Sequence, residues 1–173
     1  MAGKLVQVST TTVDSSSPVS SVTLTGITDN SVYFVAVSNA IGSDDNSALR
    51  FRVSTSGTPK TTDYAVAYHR LRTDTTFSDI SASSDPSVTW AGGAGTGTGE
   101  ASNLLVYLYN FYDSSEYSYG TMTPVTFMST PKLEANTGAF IRKVAEENNE
   151  FNFFLQSGNF VNGTFTMYKQ VTS

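Results

Sequence analysis

Few residues in this chain have the type and spacing to do chemistry. His69 is the only histidine, and a Ser-His-Asp hydrolase needs one as general base, positioned by a carboxylate and touching a nucleophile. It lies in Ala67-Tyr68-His69-Arg70, inside an alternating strand-like pattern, and no Gly-x-Ser-x-Gly elbow occurs. His69 is therefore expected to be a surface or packing residue. The glycine run Gly92-Gly93-Ala94-Gly95-Thr96-Gly97-Thr98-Gly99 lacks the lysine of a phosphate-binding loop, and the following Leu104–Asn110 reads as a strand, where a dinucleotide fingerprint needs a helix. It is read as a flexible, insertion-tolerant loop.

Metal and carboxylate chemistry fare no better. With zero cysteines there is no disulfide, thiolate nucleophile or iron–sulfur ligand, and neither His-Glu-x-x-His nor a twelve-residue calcium loop is present. Asp44-Asp45-Asn46 reads as a turn whose side chains bond their own backbone. Glycoside hydrolysis needs two carboxylates about 5–9 Å apart in a cleft. Asp113, Glu116, Glu146, Glu147 and Glu150 are the candidates, and all sit in loop-like text better explained as solvated turns. Asn162-Gly163-Thr164 fits a hairpin turn better than a glycosylation site. The expectation is that the protein is not an enzyme and takes no cofactor or metal.

One cluster has binding character. Phe111-Tyr112-Asp113-Ser114-Ser115-Glu116-Tyr117-Ser118-Tyr119-Gly120 places four aromatics in what reads as a loop, and aromatics supply large contact area at low entropic cost. Phe111, Tyr112, Tyr117 and Tyr119, together with the lone Trp90, are the expected interface residues. The alternatives are a satellite core folded over one end of the domain, or a small ligand site.

These residues must be carried by strands. Val6 and Val8, Val22 and Leu24, Tyr33, Val35 and Val37, Leu49, Phe51 and Val53, and Tyr64, Val66 and Tyr68 all recur with period two, as do Phe151, Phe153 and Leu155, then Phe165 and Met167. Turn-forming residues separate the runs, which gives nine to eleven candidate strands and an all-β, antiparallel β-sandwich. Leu104, Val106 and Leu108 face one side while Leu105, Tyr107 and Tyr109 face the other, so this run is expected at a sheet centre or a subunit contact. Ala135–Asn149 is the one window with helical character, and strand is favoured there. Residues 1–173 read as a single domain with a flexible surface excursion at about 73–100.

Composition narrows function further. The 173 residues include 24 Ser and 24 Thr but only 14% charged side chains, so the polar surface is mostly hydroxyl. A net charge of −5 with ten scattered basic residues offers no footprint for nucleic acid. The N-terminus lacks the apolar run of a secretory signal, and no stretch approaches the ~20 apolar residues of a membrane span. Neither nucleic acid nor membrane is an expected partner.

Three stretches resemble small virion structural proteins of tailed bacteriophages, especially marine and cyanobacterial ones. They are Val19–Ile27, Val32–Asn39 with Leu49–Gly57, and Phe154–Tyr168. The resemblance, one of strand order and style, rests on about a quarter of the chain. It implies a jelly-roll-like sandwich, commonly a homotrimer, serving as a capsid decoration (cement) protein or the head of a fibre. The strand pattern fills the chain from residue 5 to about 171 and leaves no shaft, which favours decoration. The implied partners are the major capsid protein and further copies of the chain, and the implied location is the capsid surface. The alternative is a tail-fibre module that binds a receptor or host glycan, or another tail or collar component.

Overall fold

In the computed structural model, which describes residues 3–74 and 77–171, alternating side chains become two antiparallel sheets. The strands in chain order are β1 (Lys4–Val13), β2 (Ser21–Thr25), β3 (Tyr33–Gly42), β4 (Ser47–Thr55), β5 (Thr58–Pro59), β6 (Tyr64–Arg72), β7 (Ser78–Asp85), β8 (Val88–Ala94), β9 (Ser102–Tyr109), β10 (Ser118–Phe127), β11 (Leu133–Arg142), β12 (Glu150–Leu155) and β13 (Phe160–Val171). Eight form a large sheet in the order β1-β13-β3-β9-β10-β11-β6-β7. The small sheet runs β2-β12-β4-β5, and β8 pairs with β4. The fold is the all-β, antiparallel sandwich that the alternation predicts, with the jelly-roll-like character that the resemblance implies.

The core lies between the sheets and is rich in phenylalanine. Phe51 of β4 meets Phe140 of β11 edge-on with ring centroids 4.8 Å apart, and Phe153 of β12 lies 5.2 Å from Phe165 of β13. Both pairs cross from the small sheet to the large one, within the 4.5–7 Å range aromatic pairs prefer. A polar tie adds to them. The buried Tyr64 hydroxyl accepts from the Val53 amide at 2.9 Å and donates to the Lys60 carbonyl at 3.0 Å, and burial pushes its pKa up to about 12.

The expected excursion at 73–100 is largely structured. β7 pairs with β6, only residues 86–87 separate β7 from β8, and β8 carries Val88, Trp90, Ala91 and Ala94 into the core. Edge strand β7 has one neighbour and needs little hydrophobic signal, and its Ile80 and Ala82 stand beside Tyr68 and Val66. The glycine run is likewise split. Gly93 belongs to β8 at φ +68°, where a Cβ would come within 2.7 Å of Met128 and 2.8 Å of Asn46; the part beyond Ala94 forms the exposed turn. The Ala135–Asn149 window is strand as far as Arg142.

β10 escapes the periodic reading because its pattern is inverted. Inward positions hold Ser118, Gly120, Met122, Pro124 and Thr126, while Tyr119, Thr121, Thr123, Val125 and Phe127 point outward. The aromatic ring of Phe140 lies over Gly120 and takes the space a side chain would fill. Pro124 has no N–H to give, and the β10–β11 register omits Thr123 and Pro124.

Candidate interaction surface

The expected interface residues divide into two sets. Trp90 is 0% exposed and Phe111 1%, with the Phe111 ring 6.0 Å from that of Phe151, so both belong to the core. Their burial has a local cause. Asn110 adopts a left-handed φ of 60° at the end of β9, turning the chain inward, and the Phe111 carbonyl accepts from the Asn148 amide at 2.6 Å. Tyr112 packs half-buried against the same core. Only Tyr117 and Tyr119, 42% and 41% exposed, present surface. The loop is held by Asp113, which accepts from the Ser115 amide at 2.9 Å and hydroxyl at 2.7 Å; these bonds hold its carboxyl below the usual range.

The candidate chemical groups do not converge. His69 Nδ1 lies 2.8 Å from Asp79 Oδ1 on exposed surface of β6 and β7. Glu146 pairs with Lys60 and with Arg142, each at 3.1 Å. Glu150 accepts from the Gly57 amide at 2.9 Å, and Asp44 accepts from the Ser43 hydroxyl at 3.0 Å. Each of these carboxylates is used in local structure. Among the described residues no group of three or more His, Asp or Glu could hold a metal ion.

The sequence reading did not single out Glu134, which is buried. It lies 3.6 Å from Arg72 Nε and shares its other oxygen with the Asn136 amide and Gly92 N–H. This network fastens β8 beneath β11, and its role is structural.

The surface that remains open is the outer face of the large sheet. On β3, β9, β10 and β11 the outward positions are Phe34, Ala36 and Ser38; Asn103, Leu105, Tyr107 and Tyr109; Tyr119, Thr121, Thr123, Val125 and Phe127; and Leu133, Ala135, Thr137, Ala139 and Ile141. None is charged. Leu105 and Tyr107 are each 46% exposed although their strand is central to the sheet. Large contiguous exposed apolar patches are uncommon on monomeric proteins.

The face has relief. Phe34 and Tyr107 touch with centroids 5.0 Å apart, Tyr168 stands 6.1 Å from Phe34, and Tyr109 lies opposite Tyr119, which makes an aromatic ridge. Beside it Thr121, Thr137, Ala139 and Ala67 line a shallow trough of about 440 Å³. A second hollow of about 250 Å³, walled by Tyr119 and Ile141, continues it over Ala65 and the same Ala67 and Ala139. Leu105, Tyr107 and Tyr109 were legible as an apolar second face of their run. The trough was not, because small residues carry no hydrophobic period.

No family model matches the chain, and no curated protein matches it. Among solved structures, a chain from "Structure of infectious bursal disease virus Gt strain" aligns at 12% identity with a TM-score of 0.12. The alignment covers 99% of this chain and 42% of that one, so this chain spans less than half its length. A TM-score this low carries no argument about fold or function.

Proposed function

We propose that this chain is a non-catalytic assembly protein of a virus particle, of the capsid decoration (cement) type, that works by burying protein surface. The observation that carries the reading is the outer face of the large sheet, which is broad, apolar and uncharged across four adjacent strands. A face without fixed charge neither orients a polar substrate nor attracts a nucleic-acid backbone, but it can dock on another protein with little desolvation cost. Many weak contacts of this kind, repeated over a lattice, add up to firm attachment. The resemblance of the three strand-rich stretches to phage virion proteins supports the setting.

The test is quantitative mass spectrometry of virions whose genome encodes the chain, with copy number measured against the major capsid protein. Hundreds of copies per particle are expected. A handful of copies would move the protein to the tail, and none would overturn the reading. The exposed tyrosines of the ridge also favour a second reading, stacking on sugar rings. Binding of the isolated protein to host polysaccharide, lost in Tyr107→Ala and Tyr119→Ala, would establish that one instead.

A further inference from the structure

The relief of the open face suggests what covers it. One row of paired residues crosses the sheet as Phe34, Tyr107, Thr121, Ala139 and Ala67, each directly opposite the next. Around Thr121 the row is large, large, then small, small. Rotation by 180° about an axis parallel to the strands and passing over Thr121 brings Tyr107 of one copy above Ala139 of another, and Phe34 above Ala67. The flanking rows share the axis but not this large-to-small order. Leu105 lies across from Thr123, and Tyr109, Tyr119 and Ile141 form a row in which Tyr109 comes over Ile141 and Tyr119 over its own counterpart.

We infer that the occupant of this face is a second copy of the chain, docked face to face about that twofold axis, with each aromatic ridge seated in the other's trough. The inference rests on the reading of the face as a protein-docking surface and names its partner.

Charge and area both fit. Copies carrying a net charge of −5 repel one another in general, yet the outward positions of β3, β9, β10 and β11 hold no charged side chain and β6 adds only His69, so contact here brings no carboxylates together. Five strands (β3, β9, β10, β11, β6) at ~4.8 Å spacing and about eight residues at ~3.3 Å rise span about 600 Å² of sheet plane. Upright side chains raise the accessible area towards the ~800 Å² per partner of a standard stable interface. Sheets stacked this way pack as they do inside a sandwich, with strand directions within about 30°, and a twofold contact closes on itself. A threefold ring would divide one flat face between two neighbours, leaving each contact with about half the area.

The chain has no cysteine, so single cysteines report the geometry cleanly. Thr121→Cys sits on the axis and should link to itself in a second copy with a short bis-maleimide. Thr10→Cys, at the far edge of the same sheet on β1, should not. Sedimentation equilibrium of the wild type should give twice 18.6 kDa, and Ala139→Arg, which places an unpaired charge in the trough, should raise the dimer dissociation constant about a hundredfold or more. Circular dichroism checks that all three exposed-site variants keep their sheets. A monomer at millimolar concentration, a trimer without the Thr121 link, or equal linking at Thr10 would overturn the inference, whatever the virion count. A dimer linked at Thr121 from a protein absent from virions would leave it standing and sink the decoration reading alone.

Discussion

The two outer faces of the sandwich are finished differently. On the small sheet the outward side chains of β4 and β12 satisfy one another. The Arg52 guanidinium lies 4.3 Å from the Phe154 ring centroid and donates to the Pro86 carbonyl at 2.9 Å, Arg50 donates to Gln156 at 3.1 Å, and Asn152 donates to Thr23 at 2.8 Å. The one large apolar ring on β12's outer side is covered by an arginine of the same molecule. On the large sheet Leu105, Tyr107, Val125 and Phe127 stand exposed, and among the described residues no cation lies over the Tyr107 or Phe127 ring. Apolar surface can be covered from within by arginine and lysine stems, and this chain does so on one face only. The uncovered face is the one proposed above for contact between molecules.

The largest expected effect concerns the layer both faces share. Phe51→Ala removes a fully buried ring that touches Phe140, Phe151 and Phe153 and should cost about 3–5 kcal/mol in urea unfolding. That is a large fraction of a typical domain's total stability. Tyr107→Ala, on the open face of a strand whose other side is core, should change the stability of dilute protein by no more than about 1 kcal/mol. A loss comparable to that of Phe51→Ala would show that the ridge is part of the monomer's own core.

Association should reverse that order. Tyr107→Ala empties the centre of the ridge and should weaken self-association at least tenfold, whereas Ala48→Arg on the outer side of β4 should leave it unchanged. Sedimentation of the two variants in parallel measures both. Equal weakening would mean that the faces do not differ in the way their finishing suggests. A smaller effect tests the finishing itself. A double-mutant cycle on Arg52→Ala and Phe154→Ala should return a coupling of about 0.5–1 kcal/mol, and a coupling of zero would mean that Phe154 is as open as Tyr107.

What the sequence revealed follows the physics of each element. Strands with one dry and one wet face announce themselves, so Tyr33, Val35 and Val37, or Phe151, Phe153 and Leu155, place the core directly. Elements that break the rule were hidden. β10 points Ser118, Gly120 and Thr126 inward and Tyr119, Val125 and Phe127 outward, so its hydrophobic signal marks the wrong side. β8 is hidden in glycine-rich text because Gly93 must fit beside Met128 and Asn46. The site was half visible. Tyr117 and Tyr119 emerge at the surface as expected, whereas Trp90 and Phe111 were misplaced, since an aromatic in loop text is exposed only if the backbone turns it outward. At Asn110 the turn is inward. The trough of Ala65, Ala67, Thr121, Thr137 and Ala139 required the register of three strands, which lies in long-range pairing and not in local pattern.

The finest distinction between the faces is their response to acid. The docking face carries no carboxylate or ammonium on β3, β9, β10 or β11, so its own response to acid is confined to one edge, where His69 of β6 stands opposite Thr137 and bonds Asp79 of β7. The attachment between the sheets also responds. Asp29, in the loop that leads from β2 to β3, pairs with Lys169 of β13 and accepts from the Ser31 amide at 3.0 Å. Lys169 first and Ser31 second hold its carboxyl down at about 2, against 3.8 for an ordinary aspartate. A depressed carboxyl favours the folded state above the unfolded value, and that contribution is lost as pH falls from 3.8 through 2. The pair is largely open to solvent, so screening keeps its contribution small. Urea midpoints for wild type and Asp29→Asn should therefore differ slightly at pH 6 and converge by pH 2. A difference that persists or grows in acid would show that Asp29 acts as a turn-forming acceptor and that its charge contributes nothing to holding β13 against the loop.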